Sequence, residues 1–208
     1  VTAYVEKLAR LGVAAEARDF LTSVDALISY LRTQGGEDRR YYVCGTESMK
    51  SQLRAAGLSL AATREDANAL LMGFDTELTF QKLEDACILL GQNVPYIATN
   101  PDWVCPTWYG SVPDCGSVCR MLTTATGREP LFLGKPQPAM AELALRRTGF
   151  SPEQAVMIGD RRFDIEGAAA AGMESIGILW GYGSREELEK ASPDYLAADI
   201  PELRRILG

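Results

Sequence analysis

The sequence predicts an α/β protein, with parallel sheet covered by helices on both faces. Three observations carry that expectation. Short apolar runs alternate almost without exception with segments of helical period, the pattern of parallel strands joined by right-handed crossovers. One of these runs, Ala155-Val156-Met157-Ile158-Gly159, ends in Asp160. Another, Leu131-Phe132-Leu133-Gly134, ends in Lys135 followed by Pro136. Continuous apolar runs of this length read as strands buried on both faces. Open α/β sheets place their ligands beyond the carboxyl ends of such strands. A strand-end lysine and a strand-end aspartate suit a bound phosphate and a hard divalent cation.

Each element has a local reason. Val5, Leu8 and Leu11 mark a first helix that stops at Gly12. A second helix spans 24–31, with Thr22 or Ser23 as its cap. Residues 40–44 read as a strand ended by Gly45, and 46–56 as a helix ended by Gly57. A strand at 69–74, a helix at 80–90 and a strand at 95–98 follow. The last leads into Thr99-Asn100-Pro101-Asp102. A stretch rich in Pro, Trp, Tyr and Gly reads as irregular, and helix returns at 117–126. Then come the Lys135 strand, a helix at 137–147, the Asp160 strand and a helix through Ala171. A strand at 175–180 and helices at 185–191 and 201–207 complete the chain.

Composition narrows the function. Of the 208 residues, 47% are hydrophobic, as in ordinary globular proteins. No apolar run has the length of a membrane span. The net charge of −7 argues against a nucleic-acid or anionic-membrane surface. Five cysteines (Cys44, Cys87, Cys105, Cys115, Cys119) show no paired spacing, which suits reduced thiols in a cytoplasmic protein. Three of them lie between 105 and 119, but zinc usually takes four ligands and the chain has no histidine. The missing histidine also excludes Ser-His-Asp and Cys-His catalysis and leaves acid–base work to carboxylates, Lys or Tyr.

The Lys135 and Gly159-Asp160 pairing resembles the haloacid dehalogenase (HAD) superfamily of phosphatases. Further segments resemble its NagD-like, 4-nitrophenylphosphatase-like branch. These are residues 4–12 with Leu21-Thr22-Ser23, Gly73-Phe74-Asp75, Leu78-Thr79-Phe80, residues 97–102 and Gly116-Ser117. Together they cover about residues 1–165 in the family's order. Residues 177–187 are more similar to the phosphoglycolate-phosphatase branch.

The resemblance implies a Rossmann-like core, residues 1–22 and 130–208, with a large α/β cap, residues 23–129, inserted in it. It implies Mg²⁺ as cofactor, held by Asp160, with Asp164 one helical turn further on, bound to the ion directly or one step removed. Lys135 would contact the transferring phosphoryl group, and Asn100 and Asp102 would face the substrate from the cap. Each residue has a plainer role available. Asp160 and Asp164 suit the start of a helix, and Asn-Pro-Asp is common turn chemistry. Arg161 reads as an ion-pair partner rather than a substrate ligand. Trp103, Trp108 and Tyr109 suit either an aromatic substrate surface or packing between lobes.

The family's nucleophile lies in an early Asp-x-Asp motif, and the sequence contains none. The first core strand is therefore expected outside this chain, and these 208 residues alone are expected to be inactive. The intact protein is expected to hydrolyse the phosphate monoester of a small phosphorylated metabolite through an aspartyl-phosphate. A catalytically inactive phosphate-binding relative and a phosphotransferase on the same fold are the alternatives. Lys135 and Asp160 together favour hydrolysis, because a chain without a catalytic role has no chemical need for either. Sugar phosphates, nucleotides, phosphoglycolate and pyridoxal phosphate all remain open as substrates, as does a homodimer through the cap.

Overall fold

A computed structural model describes residues 1–208, apart from the side chain at position 37. In chain order the elements are α1 (Thr2–Arg10), α2 (Ser23–Thr33), β1 (Arg40–Cys44), α3 (Glu47–Ala55), β2 (Ser59–Leu60), β3 (Ala69–Met72), α4 (Phe80–Gly91), β4 (Tyr96–Ala98), β5 (Val104–Thr107), β6 (Gly110–Pro113), α5 (Cys115–Thr126), β7 (Leu131–Phe132), α6 (Ala139–Thr148), β8 (Val156–Gly159), α7 (Arg162–Ala170), β9 (Glu174–Ile178), α8 (Arg185–Ala191), β10 (Tyr195–Ala197) and α9 (Ile200–Leu207). The helix starts follow the expected capping chemistry. Thr22 Oγ1 accepts from Asp25 N at 3.3 Å while Asp25 Oδ2 accepts from Thr22 N at 2.8 Å, a reciprocal box at the head of α2. Thr46 and Thr79 cap α3 and α4 in the same position.

Five parallel strands form one sheet in the order β2-β1-β3-β4-β7. β3 is buried on both faces, and its side chains alternate between two cores. Ala69 and Leu71 join Leu27, Leu31, Met49 and Leu53 from α2 and α3. Leu70 and Met72 join Ala86, Leu89, Leu90, Cys119 and Leu122 from α4 and α5. This is a three-layer unit, and fully burying each of its Leu side chains contributes about 1.5–3 kcal/mol. A polar network tightens one edge: Asp85 accepts from Tyr42 OH at 2.6 Å, Arg64 at 2.7 Å and Gln81 at 3.1 Å.

A second parallel sheet, β10-β9-β8, carries α7 against it. The Asp160 strand was expected to be buried on both faces. Among the described residues β8 pairs with β9 alone, and Ile158 is 41% exposed.

Three features escaped the sequence. β2 and β10 are two and three residues long, too short for a period. The stretch that reads as irregular is a β5–β6 hairpin with Cys105 opposite Val112 and Thr107 opposite Gly110. Pro106 and Pro113 disguise it, and both sit in a two-stranded ribbon whose edges tolerate proline. The Lys135 strand, β7, pairs with β4 through Ile97–Leu131 and Ala98–Phe132. β7 thus belongs to the same sheet as β1, β3 and β4. No helix among the described residues is long and apolar enough to cross a membrane.

Candidate active site

The β4–β7 pairing decides what stands beside Lys135. The loop after β4 carries Asn100 and Asp102, and the loop after β7 carries Gly134 and Lys135. A Cβ on Gly134 would lie 2.5 Å from Thr99 O and 3.0 Å from Asn100 Cα. Only glycine lets these two strand ends touch. β8 delivers Asp160 from the other sheet, and Asp160 Oδ2 accepts from Tyr182 N at 2.7 Å. The turn into α7 then brings Asp164 back beneath the strand. A Cβ on Gly159 would meet Asp164 Cβ at 2.2 Å, so the Gly of Gly159-Asp160 is a packing requirement.

Asp164 bridges the two sheets. Its Oδ1 accepts from Lys135 Nζ in a direct ion pair, and its Oδ2 accepts from Arg161 N at 3.1 Å, capping α7. Its side chain is 8% exposed, and a charge so buried needs such partners. Arg161 is held by Glu187 at 2.8 Å, the ion pair expected of it. Hydrogen bonding to Glu187 raises the Arg161 guanidinium above its ordinary value. Burial pushes the Glu187 carboxyl up, but hydrogen bonds from Arg161 and from Arg162 N outweigh it, so Glu187 sits below the usual range.

The cap side is acidic. Asp114 caps α5, accepting from Cys115 N at 2.6 Å and from Asn100 Nδ2 at 3.4 Å. Asp102 sits above the ordinary carboxylate range: burial raises it most, Asp114 adds to the effect, and Lys135 and Arg161 oppose it. A cavity of about 300 Å³ opens between these walls. Lys135, Asn100, Asp102, Asp160 and Asp164, the residues that the sequence singled out, all line it.

Sequence reasoning missed Asp114, Cys105 and Tyr182, which line the same cavity. The Gly181-Tyr182-Gly183 triplet was a usable signal for the last, since a Cβ on Gly181 or Gly183 would strike Asp160. Asp114 was legible only as a helix cap. The aromatics divide. Trp108 is 93% exposed at the hairpin and packs edge-to-face on Tyr109 at 5.2 Å. Trp103 lines a groove next to the cavity with Pro136 and Phe163. None of the three is buried between lobes.

The donor set bears on a divalent cation. Asp160 lines the cavity as a carboxylate, while both oxygens of Asp164 already serve Lys135 and Arg161. Among the described residues, no group of three or more His, Cys, Asp or Glu converges on a metal position. A single carboxylate, Asp160, suits a divalent cation that completes its shell with water and phosphate oxygens. It does not fit an all-protein cage.

The chain is similar to known proteins in sequence and in fold. The family description "Haloacid dehalogenase-like hydrolase" matches residues 1–59, and a HAD-hydrolase-like description matches residues 132–203. The structure is similar to that of a 4-nitrophenylphosphatase from Thermotoga maritima, with a TM-score of 0.90 and 34% identity over 98% of this chain and 78% of that one. It is also similar to a glycerol phosphate phosphatase from Mycobacterium tuberculosis solved in complex with calcium, with a TM-score of 0.89 and 31% identity over 97% of this chain and 61% of that one. Among curated proteins, D-glycerol 3-phosphate phosphatase of Mycobacterium tuberculosis is 32% identical over 204 residues, 95% of this chain. The chain spans 57% of that relative's length.

Proposed function

The chain belongs to the haloacid dehalogenase superfamily, in its NagD-like phosphatase branch, and we propose that it serves the hydrolysis of phosphate monoesters of small metabolites. The observation that carries this reading is the convergence of Lys135 and Asp160, from two different sheets, on one cavity. The Lys135 ammonium, aimed by Asp164, sits where it can neutralise an oxygen of the phosphoryl group. Asp160 would hold Mg²⁺, whose charge, when bound, offsets the repulsion between an attacking carboxylate and a dianionic phosphate. Asp164 serves the site by fixing Lys135 and the turn at Arg161, not as a direct ligand.

The reaction splits into attack by a carboxylate on phosphorus, with loss of the alcohol, and hydrolysis of the resulting aspartyl-phosphate. No Asp-x-Asp occurs in the sequence, so the attacking carboxylate is assigned to residues outside this chain. Residues 1–22 and 130–208 act as the core and residues 23–129 as the cap, and β7, just past the cap in sequence, pairs with β4 of the cap sheet. Asn100 and Asp102 contact substrate from the cap side. Free thiols at all five cysteines support a reducing, cytoplasmic setting. The exposed hairpin aromatics support a homodimer through the cap.

The test is hydrolysis of 4-nitrophenyl phosphate with Mg²⁺, by the intact protein and by these 208 residues separately. Turnover is expected from the intact protein alone, and K135M is expected to lower kcat/KM at least about 100-fold. Turnover by the 208 residues would refute the outside nucleophile. Binding of inorganic phosphate by the intact protein, with no turnover, would make it the phosphate-binding relative that the missing Asp-x-Asp also allows.

A further inference from the structure

We infer that the cavity selects alcohol leaving groups that are uncharged and carry free hydroxyls, and rejects those that carry a second anion; this rests on the phosphatase reading above. The cavity is divided by charge. On the side of the phosphate each cation has an acidic partner, Lys135 with Asp164 and Arg161 with Glu187. Asn100, Asp102, Asp114 and Cys105 stand on the cap side, where the alcohol must lie. Asp114 is 8% exposed and accepts from Cys115 N as the cap of α5, so it stays in place as a fixed acidic wall. Asn100 donates its Nδ2 to that carboxylate, which turns its acceptor away from Asp114. The Asn100 Oδ1 left over is buried and has no donor among the described residues. A buried acceptor without a partner is costly, and because Asn100 lines the cavity, a substrate hydroxyl that reached Oδ1 would relieve it.

The cap wall therefore offers acceptors and a thiol, and no cation. A hydroxyl donates to such a wall. A carboxylate or second phosphate on the leaving group meets like charge at short range in a partly desolvated cleft. Lys135, by contrast, offers an ammonium to the phosphoryl end, so the absence of any cation on the cap wall is what distinguishes the leaving-group end. Cys105 is half-buried on β5 between exposed Val104 and Pro106, and all three line the cavity. It is the position from which the sign of the wall is most easily changed.

The experiment is a kcat/KM panel on the intact protein with Mg²⁺. It covers glycerol phosphate, a hexose monophosphate, phosphoglycolate, a sugar bisphosphate and 4-nitrophenyl phosphate. The hydroxylated monophosphates are expected to exceed phosphoglycolate and the bisphosphate by at least about tenfold. D102N and, independently, C105K on the hairpin should each narrow that gap about tenfold. N100L should lower the ratio of glycerol phosphate to 4-nitrophenyl phosphate about tenfold, because the aryl ester carries no hydroxyl to donate. Equal or better turnover of the anionic esters would overturn the inference while leaving the phosphatase reading intact. So would ratios in D102N and C105K that stay within about twofold of the parent. Failure to hydrolyse any of the five esters would overturn both.

Discussion

Replacing Gly116 by alanine pits two effects of known sign against each other. Gly116 lies in the first turn of α5, where Gly→Ala in an unconstrained helix stabilises by up to about 1 kcal/mol. The added Cβ, however, would sit 2.1 Å from Pro101 O, 2.5 Å from Pro101 C and 2.7 Å from Asp102 O. These are backbone atoms, so no rotamer change relieves them. Opening the first contact from 2.1 Å to an ordinary 3.4 Å moves the 100–102 loop by about 1.3 Å from α5. That strains the Gly116 N to Asp102 O bond of 2.9 Å and shifts Asn100 against Gly134. Overpacking of this kind costs about 3 kcal/mol, which exceeds the propensity gain and leaves a net loss of about 2 kcal/mol. For a chain of this size the melting temperature should fall by about 4–8 °C. The control is G91A at the end of α4, where the added Cβ meets nothing within 4 Å. It should raise stability by about 0.5 kcal/mol. Thermal and urea denaturation of the two variants beside the parent chain provide the assay. If G116A is as stable as the parent, the close approach of the cap loop to α5 is wrong, and with it the account of how Asn100 and Asp102 are placed.

The remaining predictions concern charges. D85A should destabilise by about 3 kcal/mol or more in urea unfolding, because it leaves Tyr42 OH and Arg64 without their shared acceptor. E187Q should cost about 1 kcal/mol at pH 7, since Glu187 holds both Arg161 and Arg162 N. The native carboxyl lies below its ordinary 4.5, so its contribution is complete above that pH and is lost as pH falls through the lower native value. The gap between E187Q and parent should therefore close in acid. D102N has the opposite sign. The native Asp102 carboxyl lies above 3.8, so the parent loses stability as pH rises through that window. D102N should be more stable than the parent at pH 7 and equal to it near pH 3, and a variant less stable at pH 7 would refute the raised value.

What the sequence determined by itself was local and chemical. Period marked the α-helices, and Thr22 was legible as the cap of α2 because a cap acts within a single turn. The apolar runs marked β1, β3 and β4, because strands buried on both faces have little polar residue to hide them. Lys135 and Asp160 were legible because each ends an apolar run, and strand ends are where α/β sheets bind ligands. Tertiary structure decided the pairings. That β7 joins β4, and not the sheet of β8, depends on long-range hydrogen bonds that leave no period in the chain. That pairing puts Asn100 against Gly134 and draws Asp114, a helix cap in sequence terms, into the cavity wall. The role of Asp164 was likewise open at one helical turn from Asp160. Only the meeting of two sheets, which sets Lys135 on one of its oxygens and Arg161 N on the other, made it a clamp on the lysine.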